Sequence, residues 1–206
     1  YTLAGRLDGG DVFSDRREIT ESLIKIVNNE MANLADAGCK FIQLDEPSFA
    51  CHPEHPEEFI EVLNKSIEGL DDVFVSIHMC FGNFRGRAIA HRSYIPLFPH
   101  LLQCNVDQFA LEFASREMAE IDILGEISEA GKSIAVGIVD VKNLWTEPVE
   151  LLESRIRTCL KYAPPELLHL TPDCGFSQTA RYAARTKMKN LAEAARNVRS
   201  ALKLTQ

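Results

Sequence analysis

The stretch SIHMCFGN, residues 76–83, decides the fold. It alternates polar and apolar side chains and then reaches a turn signal at Gly82 and Asn83. Side chains two residues apart on a strand point to the same face, so His78 and Cys80 should project together. The stretch therefore predicts a strand that ends in an imidazole and a thiol, directly before a turn.

Similar apolar stretches recur along the chain and alternate with segments of helical periodicity. The predicted strands end near Asp45, Cys80, Glu112, Asp140 and Cys174. The predicted helices cover residues 16–37, 57–70, 93–103, 116–130, 148–160 and 186–202. Five such strand-then-helix units with short connections indicate an α/β fold with a parallel sheet covered by helices. A doubly wound sheet and a TIM-like (β/α)8 barrel both fit, but no GxGxxG follows a strand, so a dinucleotide-binding version has no support.

The composition is that of one globular domain. The chain has 206 residues, of which 46% are hydrophobic and 25% charged, with a formal net charge of −8. Acidic and basic residues are interspersed, which argues against nucleic acid or an anionic membrane as a partner. No apolar run approaches the roughly 20 residues of a membrane helix. The six cysteines are scattered, so we interpret them as reduced thiols in a cytoplasmic protein.

Polar residues collect at the predicted carboxyl ends of the strands, where parallel α/β folds bind ligands. They are Asp45, Glu46, His78, Cys80, Glu112, Asp140, Lys142, Asp173 and Cys174. Four of them are of the types that bind zinc: His78, Cys80, Glu112 and Cys174. Four donors complete a tetrahedral shell. Two core cysteines and a salt-bridged glutamate explain the same residues as well, because the scattered positions lack a CxxC-like signature.

Five strand-end motifs resemble those of cobalamin-independent methionine synthase of the catalytic-domain type. They are IQLDEP (42–47), HMCFGN (78–83), ALEFASRE (110–117), VGIVDVK (136–142) and LTPDCGF (170–176). Their order agrees with that family over nearly the whole chain. The resemblance implies a TIM-like barrel with Zn²⁺ held by a His-x-Cys pair, a Glu and the Cys of the PDCG motif. It therefore implies four zinc ligands: His78, Cys80, Glu112 and Cys174.

The resemblance also implies a zinc-dependent methyltransferase that transfers a methyl group to the thiol of homocysteine and forms methionine. Homocysteine sulfur would join the zinc as a thiolate, in place of Glu112, and attack the methyl group in line. Asp45 in the DEP motif would bind the substrate amino group, and we expect Glu46 and Asn83 to bind substrate as well. The expected partners are homocysteine and a methyl donor of the 5-methyltetrahydrofolate or methyl-corrinoid type. A homo-oligomer is compatible with the sequence.

Lys142 departs from the pattern of the long, folate-using members, which carry a His after the VGIVD strand as the presumed acid. A lysine with an ordinary pKa of about 10.4 is a poor acid at neutral pH unless that pKa is depressed. We expect Asp140 and Lys142 to be catalytic, and the alternative for Lys142 is an ion pair with Asp140 or Glu112. The motifs HMCFGN and VDVK are closer to the shorter, core-type relatives and to the epoxyalkane:coenzyme M transferases.

Two other functions compete with this hypothesis. One is a different zinc thiol alkyltransferase, such as an epoxyalkane:coenzyme M transferase. The other is a non-catalytic barrel fragment in which zinc only connects the strands. The extra strand-end groups Asp45, Asp140 and Lys142 argue against the second, because a structural zinc site has no use for them.

The length of the chain predicts an incomplete barrel. Five strands cannot close an eight-stranded barrel of about 250 residues. We expect residues 1–206 to form one zinc-binding methyltransferase barrel domain that lacks its first strands, with residues 1–7 as the exit of the third.

Three weaker features are open to two interpretations each. The segment CHPEHP, residues 51–56, offers a second metal cluster, although a solvated loop explains it better. Arg85 and Arg87 either bind a substrate anion or belong to a solvated loop. Trp145 either stacks on a flat methyl donor or packs in the core.

Overall fold

The computed structural model describes residues 10–83 and 86–203. The predicted strand exit at residues 1–7 and the side chain of Arg85 lie outside the described residues. The helices and strands follow in the order α1 (Arg16–Asp36), β1 (Phe41–Asp45), α2 (Ser48–Cys51), α3 (Pro56–Ser66), β2 (Phe74–Met79), β3 (Gln108–Glu112), α4 (Ile123–Glu129), β4 (Ser133–Val139), α5 (Val149–Cys159), β5 (Leu168–Pro172) and α6 (Arg181–Ala201). None of these described helices is long and apolar enough to cross a bilayer.

The five strands form one parallel sheet in the sequential order β1-β2-β3-β4-β5. Because βαβ crossovers are right-handed, a sequential order places all of the connecting helices on the same face of the sheet. A doubly wound sheet instead reverses its strand order at a switch point. The α/β architecture is therefore that of a partial TIM-like barrel. Within the described residues, β1 and β5 each pair with one neighbour only.

The two faces of the sheet differ in polarity. On the face under the helices, Ile77 of β2 shares one apolar core with Phe59 of α3 and Leu152 of α5. On the opposite face, the Ser76 hydroxyl donates to Gln108 Oε1 across β2 and β3 at 2.9 Å. Side chains at every second position of a strand point to the same face. A polar side chain at a strand end that is in phase with Ser76 or Gln108 therefore lies on this second face. The polar face leads to the functional site.

Local signals at α1 agree with its observed bounds. The Asp15 carboxylate accepts a hydrogen bond from the Glu18 backbone N–H at 3.0 Å and caps the first turn. Gly38 follows the helix with a φ of +97°, a left-handed conformation that glycine adopts without strain.

Two of the predicted helices are wrong over much of their length. Residues 93–103 form two short 3₁₀ turns, Ile95–Leu97 and His100–Gln103. Phe98 between them is extended, because a residue that precedes proline avoids the α-helical region. Arg116 ends the 3₁₀ turn Ala114–Arg116, residues 117–122 are not helical, and α4 starts only at Ile123. In both segments the spacing of the apolar residues resembles that of a helix, which explains the wrong predictions.

Left-handed residues explain the second error. Glu117, Met118 and Glu120 have φ values of +54°, +63° and +61°. The Glu120 carboxylate holds this conformation, since it accepts from the Tyr94 backbone N–H at 2.8 Å and pairs with Arg116 at 2.6 Å. Contacts with a distant segment thus override the local periodicity. The error in the last helix is smaller: α6 starts at Arg181, five residues before the predicted start.

Candidate metal centre

The carboxyl ends of β2, β3 and β5 bring four donor side chains together. His78 lies in β2, Cys80 directly follows it, Glu112 ends β3, and Cys174 lies two residues beyond β5. One donor atom of each residue lies within 4.8 Å of the donor atoms of the others. Across residues 10–83 and 86–203, this is the only group of three or more His, Cys, Asp or Glu side chains so arranged.

The distances inside the cluster suit a tetrahedral cation. Cys80 Sγ and Cys174 Sγ are 3.7 Å apart. Two Zn–S bonds of about 2.3 Å at the tetrahedral angle would place the sulfur atoms about 3.8 Å apart. The thiols are free, since a disulfide requires about 2.05 Å. His78 Nε2 is buried without a hydrogen-bond partner among the described residues, 4.0 Å from Glu112 Oε1. A zinc ion would satisfy this nitrogen, so the four residues fit the metal.

In the absence of a metal, the two thiols differ in their tendency to ionise. The hydrogen bond from Cys80, helped by the neighbouring His78 imidazole, lowers the pKa of Cys174 to about 4. The same hydrogen bond and partial burial raise the pKa of Cys80. Burial opposes the charged form of His78, but the contact with Cys174 raises the pKa of the imidazole above its ordinary value. At neutral pH the pair therefore holds one thiolate, centred on Cys174.

This thiolate gives a testable pH dependence. In the metal-free chain, we expect Cys174 to react with iodoacetamide at nearly constant rate from about pH 8 to about pH 6, because a thiol with a pKa of about 4 stays ionised there. Partial burial and the charge of Glu46 raise the pKa of exposed Cys51. The control Cys51 should therefore slow about 100-fold over the same two pH units. Peptide mass spectrometry measures both rates. A tenfold loss per pH unit at Cys174 would contradict the assignment.

Glu112 is fully buried and uses its two carboxylate oxygens differently. Oε2 pairs with the Lys142 ammonium at 2.7 Å. Oε1 accepts a hydrogen bond from the Phe81 backbone N–H at 3.3 Å and faces His78. Burial disfavours the charged form of Lys142, but the charge and hydrogen bond of Glu112, together with the charges of Asp173 and Cys174, raise the pKa of the ammonium. Of the two ion pairs considered for Lys142, the structure contains the one with Glu112.

Asp140 does not pair with this ammonium. Its Oδ1 accepts from the Lys142 backbone N–H at 2.7 Å, and its Oδ2 accepts from Asn143 Nδ2. Such bonds from an aspartate to the following backbone stabilise turns. Asp140 thus shapes the loop that carries Lys142.

Tyr94 connects the ends of β2 and β3. Its hydroxyl donates to the Met79 carbonyl at 3.0 Å and accepts from the Glu112 backbone N–H at 2.8 Å. The ring is fully buried, with the Phe81 ring at a centroid distance of 4.5 Å. Tyr94 was not predicted from the sequence, because it lies in an irregular segment between strands and only the fold brings it to the site.

A buried ion pair anchors the loop that follows β4. Glu147 Oε2 accepts from Lys187 Nζ of α6 at 2.9 Å, and both residues are fully buried. Glu147 Oε1 accepts from the Asp140 backbone N–H at 2.8 Å. Lys187 also donates to the Trp145 carbonyl. The sequence offered no signal for this pair, since its members lie 40 positions apart.

The predicted substrate-binding residues lie around the cluster. Asp45 is exposed and stands next to His78 in the β1–β2 register. The Glu46 backbone N–H donates to the His78 carbonyl at 2.9 Å. Asn83 Nδ2 donates to the Gly175 carbonyl at 3.2 Å, while its buried Oδ1 has no hydrogen-bond partner among the described residues.

The weaker sequence features receive different answers. His52 of the CHPEHP segment pairs with Glu54 at 3.4 Å, and the segment contributes to no metal-binding group within the described residues. The Trp145 side chain is 57% exposed, so the core-packing interpretation is wrong. Arg87 is exposed.

Fold and site together define a protein of the α/β barrel type with a candidate metal centre, in which two of the four donor groups are thiols. The model of the family described as cobalamin-independent synthase, catalytic domain, matches residues 11–197. The chain belongs to this family, which confirms the prediction made from the five motifs.

Named relatives agree with this membership. Methionine synthase from Pyrococcus horikoshii is 34% identical over 202 residues, which cover 98% of this chain and 56% of the relative. Methionine synthase from Sulfurisphaera tokodaii is 31% identical over 203 residues, with 98% and 56% covered. A B12-independent methionine synthase from Shewanella sp. W3-18-1, solved in complex with selenomethionine, has a TM-score of 0.84 at 27% identity, covering 95% of this chain and 59% of that chain. The chain thus spans about half the length of the curated relatives it matches.

Proposed function

We propose that this chain carries the zinc-binding part of a methyltransferase that methylates the thiol of homocysteine and forms methionine. The observation that carries the proposal is the group of four donor atoms within 4.8 Å at the carboxyl edge of the sheet. The names of the relatives support the reaction. The relative from Shewanella sp. W3-18-1 was solved in complex with selenomethionine, which supports an amino-acid ligand of the methionine type.

The proposed zinc ligands are His78, Cys80, Glu112 and Cys174. When bound, zinc lowers the pKa of a coordinating thiol and so makes the substrate sulfur nucleophilic at neutral pH. Glu112 would hold the metal through one oxygen, because Lys142 already binds its other oxygen at 2.7 Å. The Lys142 ammonium would thereby compensate the charge of the Glu112 carboxylate in a buried site.

Three further residues would orient the amino acid. The exposed carboxylate of Asp45, beside His78, suits the substrate ammonium. Asn83 Oδ1 is a buried acceptor without a hydrogen-bond partner among the described residues, and it can take a second ammonium proton. Glu46 lies in the same strand-end segment and completes an acidic rim for a cationic group.

The choice of methyl donor depends on whether the site can supply a proton. A folate-type donor leaves as an amine and requires a proton, whereas a methyl-corrinoid leaves with the bonding electron pair and requires none. Interaction with Glu112 raises the pKa of Lys142, which makes this lysine a weak acid at neutral pH. We therefore assign Lys142 a role as counter-charge to Glu112, with Asp140 holding its loop, and favour a donor of the methyl-corrinoid type.

X-ray absorption at the zinc edge tests the proposed function. We expect saturating homocysteine to add one sulfur ligand at about 2.3 Å, because an open catalytic site accepts a substrate thiolate. Homoserine, which lacks the thiol, is the control. Asp45→Asn should keep the zinc content and weaken homocysteine binding about 10-fold or more, since it loses a charge-assisted hydrogen bond. An unchanged ligand set with homocysteine present would indicate a closed, structural site.

Parallel assays of methionine formation with methylcobalamin and 5-methyltetrahydrofolate then identify the donor.

A further inference from the structure

Two of the proposed ligands come from strands that are not neighbours. Glu112 ends β3 and Cys174 follows β5, with β4 between them. The residue before Cys174 spans this gap. The Asp173 carboxylate accepts three successive backbone N–H groups of the segment that follows Glu112: Phe113 at 3.0 Å, Ala114 at 2.9 Å and Ser115 at 2.7 Å.

The carboxylate can reach that segment only because β4 lacks a side chain where it crosses. A Cβ atom on Gly137 would lie 2.5 Å from Asp173 Oδ1 and 2.9 Å from the Leu111 carbonyl oxygen. Both distances are shorter than van der Waals contact, and the second atom belongs to backbone. Gly137 is paired with Glu112 in the β3–β4 register. It is therefore space, rather than backbone conformation, that requires glycine here.

We propose that Asp173 is a positioning residue that sets the distance between Glu112 and Cys174, and that Gly137 provides the passage for its side chain. The inference rests on the proposed function, since it treats these two residues as metal ligands. Asp173 is 1% exposed, and its three backbone partners fix both of its oxygens. It lies one residue from one ligand, and its first partner lies one residue from the other. Asp173 acts through the two ligands and needs no contact with the substrate.

Asp173→Asn and Gly137→Ala test this role. The amide of the first variant presents N–H groups to backbone donors, and the methyl group of the second displaces the carboxylate. We expect zinc affinity, measured against a chromophoric chelator, to fall about 10- to 100-fold in each variant, as for other outer partners of metal ligands. The thiolate-to-metal absorption of the cobalt-substituted protein should weaken, because Cys174 leaves its position. A merely structural role would leave this absorption unchanged.

Matched controls lie away from the cluster. Asp107 also accepts a backbone N–H, from Val75 at 2.7 Å, but at the start of the strands. A Cβ atom on Gly125 would lie 3.9 Å from its nearest neighbour, the Tyr162 carbonyl oxygen. Asp107→Asn and Gly125→Ala should both keep the cobalt spectrum and the zinc affinity of the parent.

The outcomes separate the two proposals. A parent that binds no zinc under reducing, metal-replete conditions overturns the metal centre and this inference together. A parent that binds zinc, with both variants equal to it in affinity and spectrum, overturns only the positioning role. Weaker affinity with the parental cobalt spectrum also overturns it, because the ligand geometry is then intact. If Asp173→Asn does not fold, Gly137→Ala decides, since it keeps the carboxylate and its charge.

Discussion

Cys174→Ser is expected to lower zinc affinity about 100- to 1000-fold. Four-ligand zinc sites bind with about 10–16 kcal/mol, so one ligand contributes roughly 2.5–4 kcal/mol. A serine hydroxyl recovers little of this, because it stays protonated at neutral pH. The Sγ–Sγ distance of 3.7 Å to Cys80 makes Cys174 the ligand with the most direct geometric support. Zinc per chain after dialysis against a chelator of known affinity measures the loss.

Cys51→Ser is the matched control for this variant. Cys51 is exposed and belongs to no metal-binding group within the described part of the chain. The Cys51→Ser variant should therefore keep the parental zinc content of about one ion per chain, the number that one tetrahedral site holds. Parental affinity in Cys174→Ser would remove this thiol from the ligand set. Equal losses in both variants would instead point to general oxidation or misfolding.

The parts of the fold that the sequence predicted well are those with short-range causes. Buried strands of a parallel sheet read as continuous apolar runs, so the ends of β1 to β4 were placed within about one residue and that of β5 within about two. The donors His78 and Cys80 follow from the two-residue period of a single strand. The residue types at the strand ends grouped Glu112 and Cys174 with that pair, and the order of the five motifs favoured this grouping over core cysteines and a salt-bridged glutamate.

The features that the sequence did not predict depend on contacts between distant segments. The turns at Glu117, Met118 and Glu120 exist because Tyr94, more than twenty positions away, binds the Glu120 carboxylate. The choice of Lys142 between Asp140 and Glu112 depended on which carboxylate was buried, and burial is a property of the folded chain. Periodicity carries no information on such pairings, and charge spacing carries little.

Lys187→Met is expected to lower the free energy of unfolding by about 3–5 kcal/mol, the usual cost of removing one partner of a buried ion pair. Methionine keeps most of the volume, so the loss arises mainly from Glu147, whose buried carboxylate would lose its ammonium partner. Arg155 lies 3.9 Å from Glu147 Oε1 and can replace only part of that charge. Urea unfolding at neutral pH under reducing conditions measures the change.

A control on the same helix and a second variant make the cause specific. Lys189→Met removes an exposed ammonium two positions further along α6 and should change stability by no more than about 0.5 kcal/mol. Adding Glu147→Gln to Lys187→Met should recover part of the loss, because the amide has no charge to compensate. The recovery stays partial, since the Asp140 backbone N–H and Lys187 both bind this carboxylate in the parent. A loss below about 1 kcal/mol in Lys187→Met would mean that water or Arg155 compensates Glu147, and that the ion pair does not hold the Lys142 loop against the sheet.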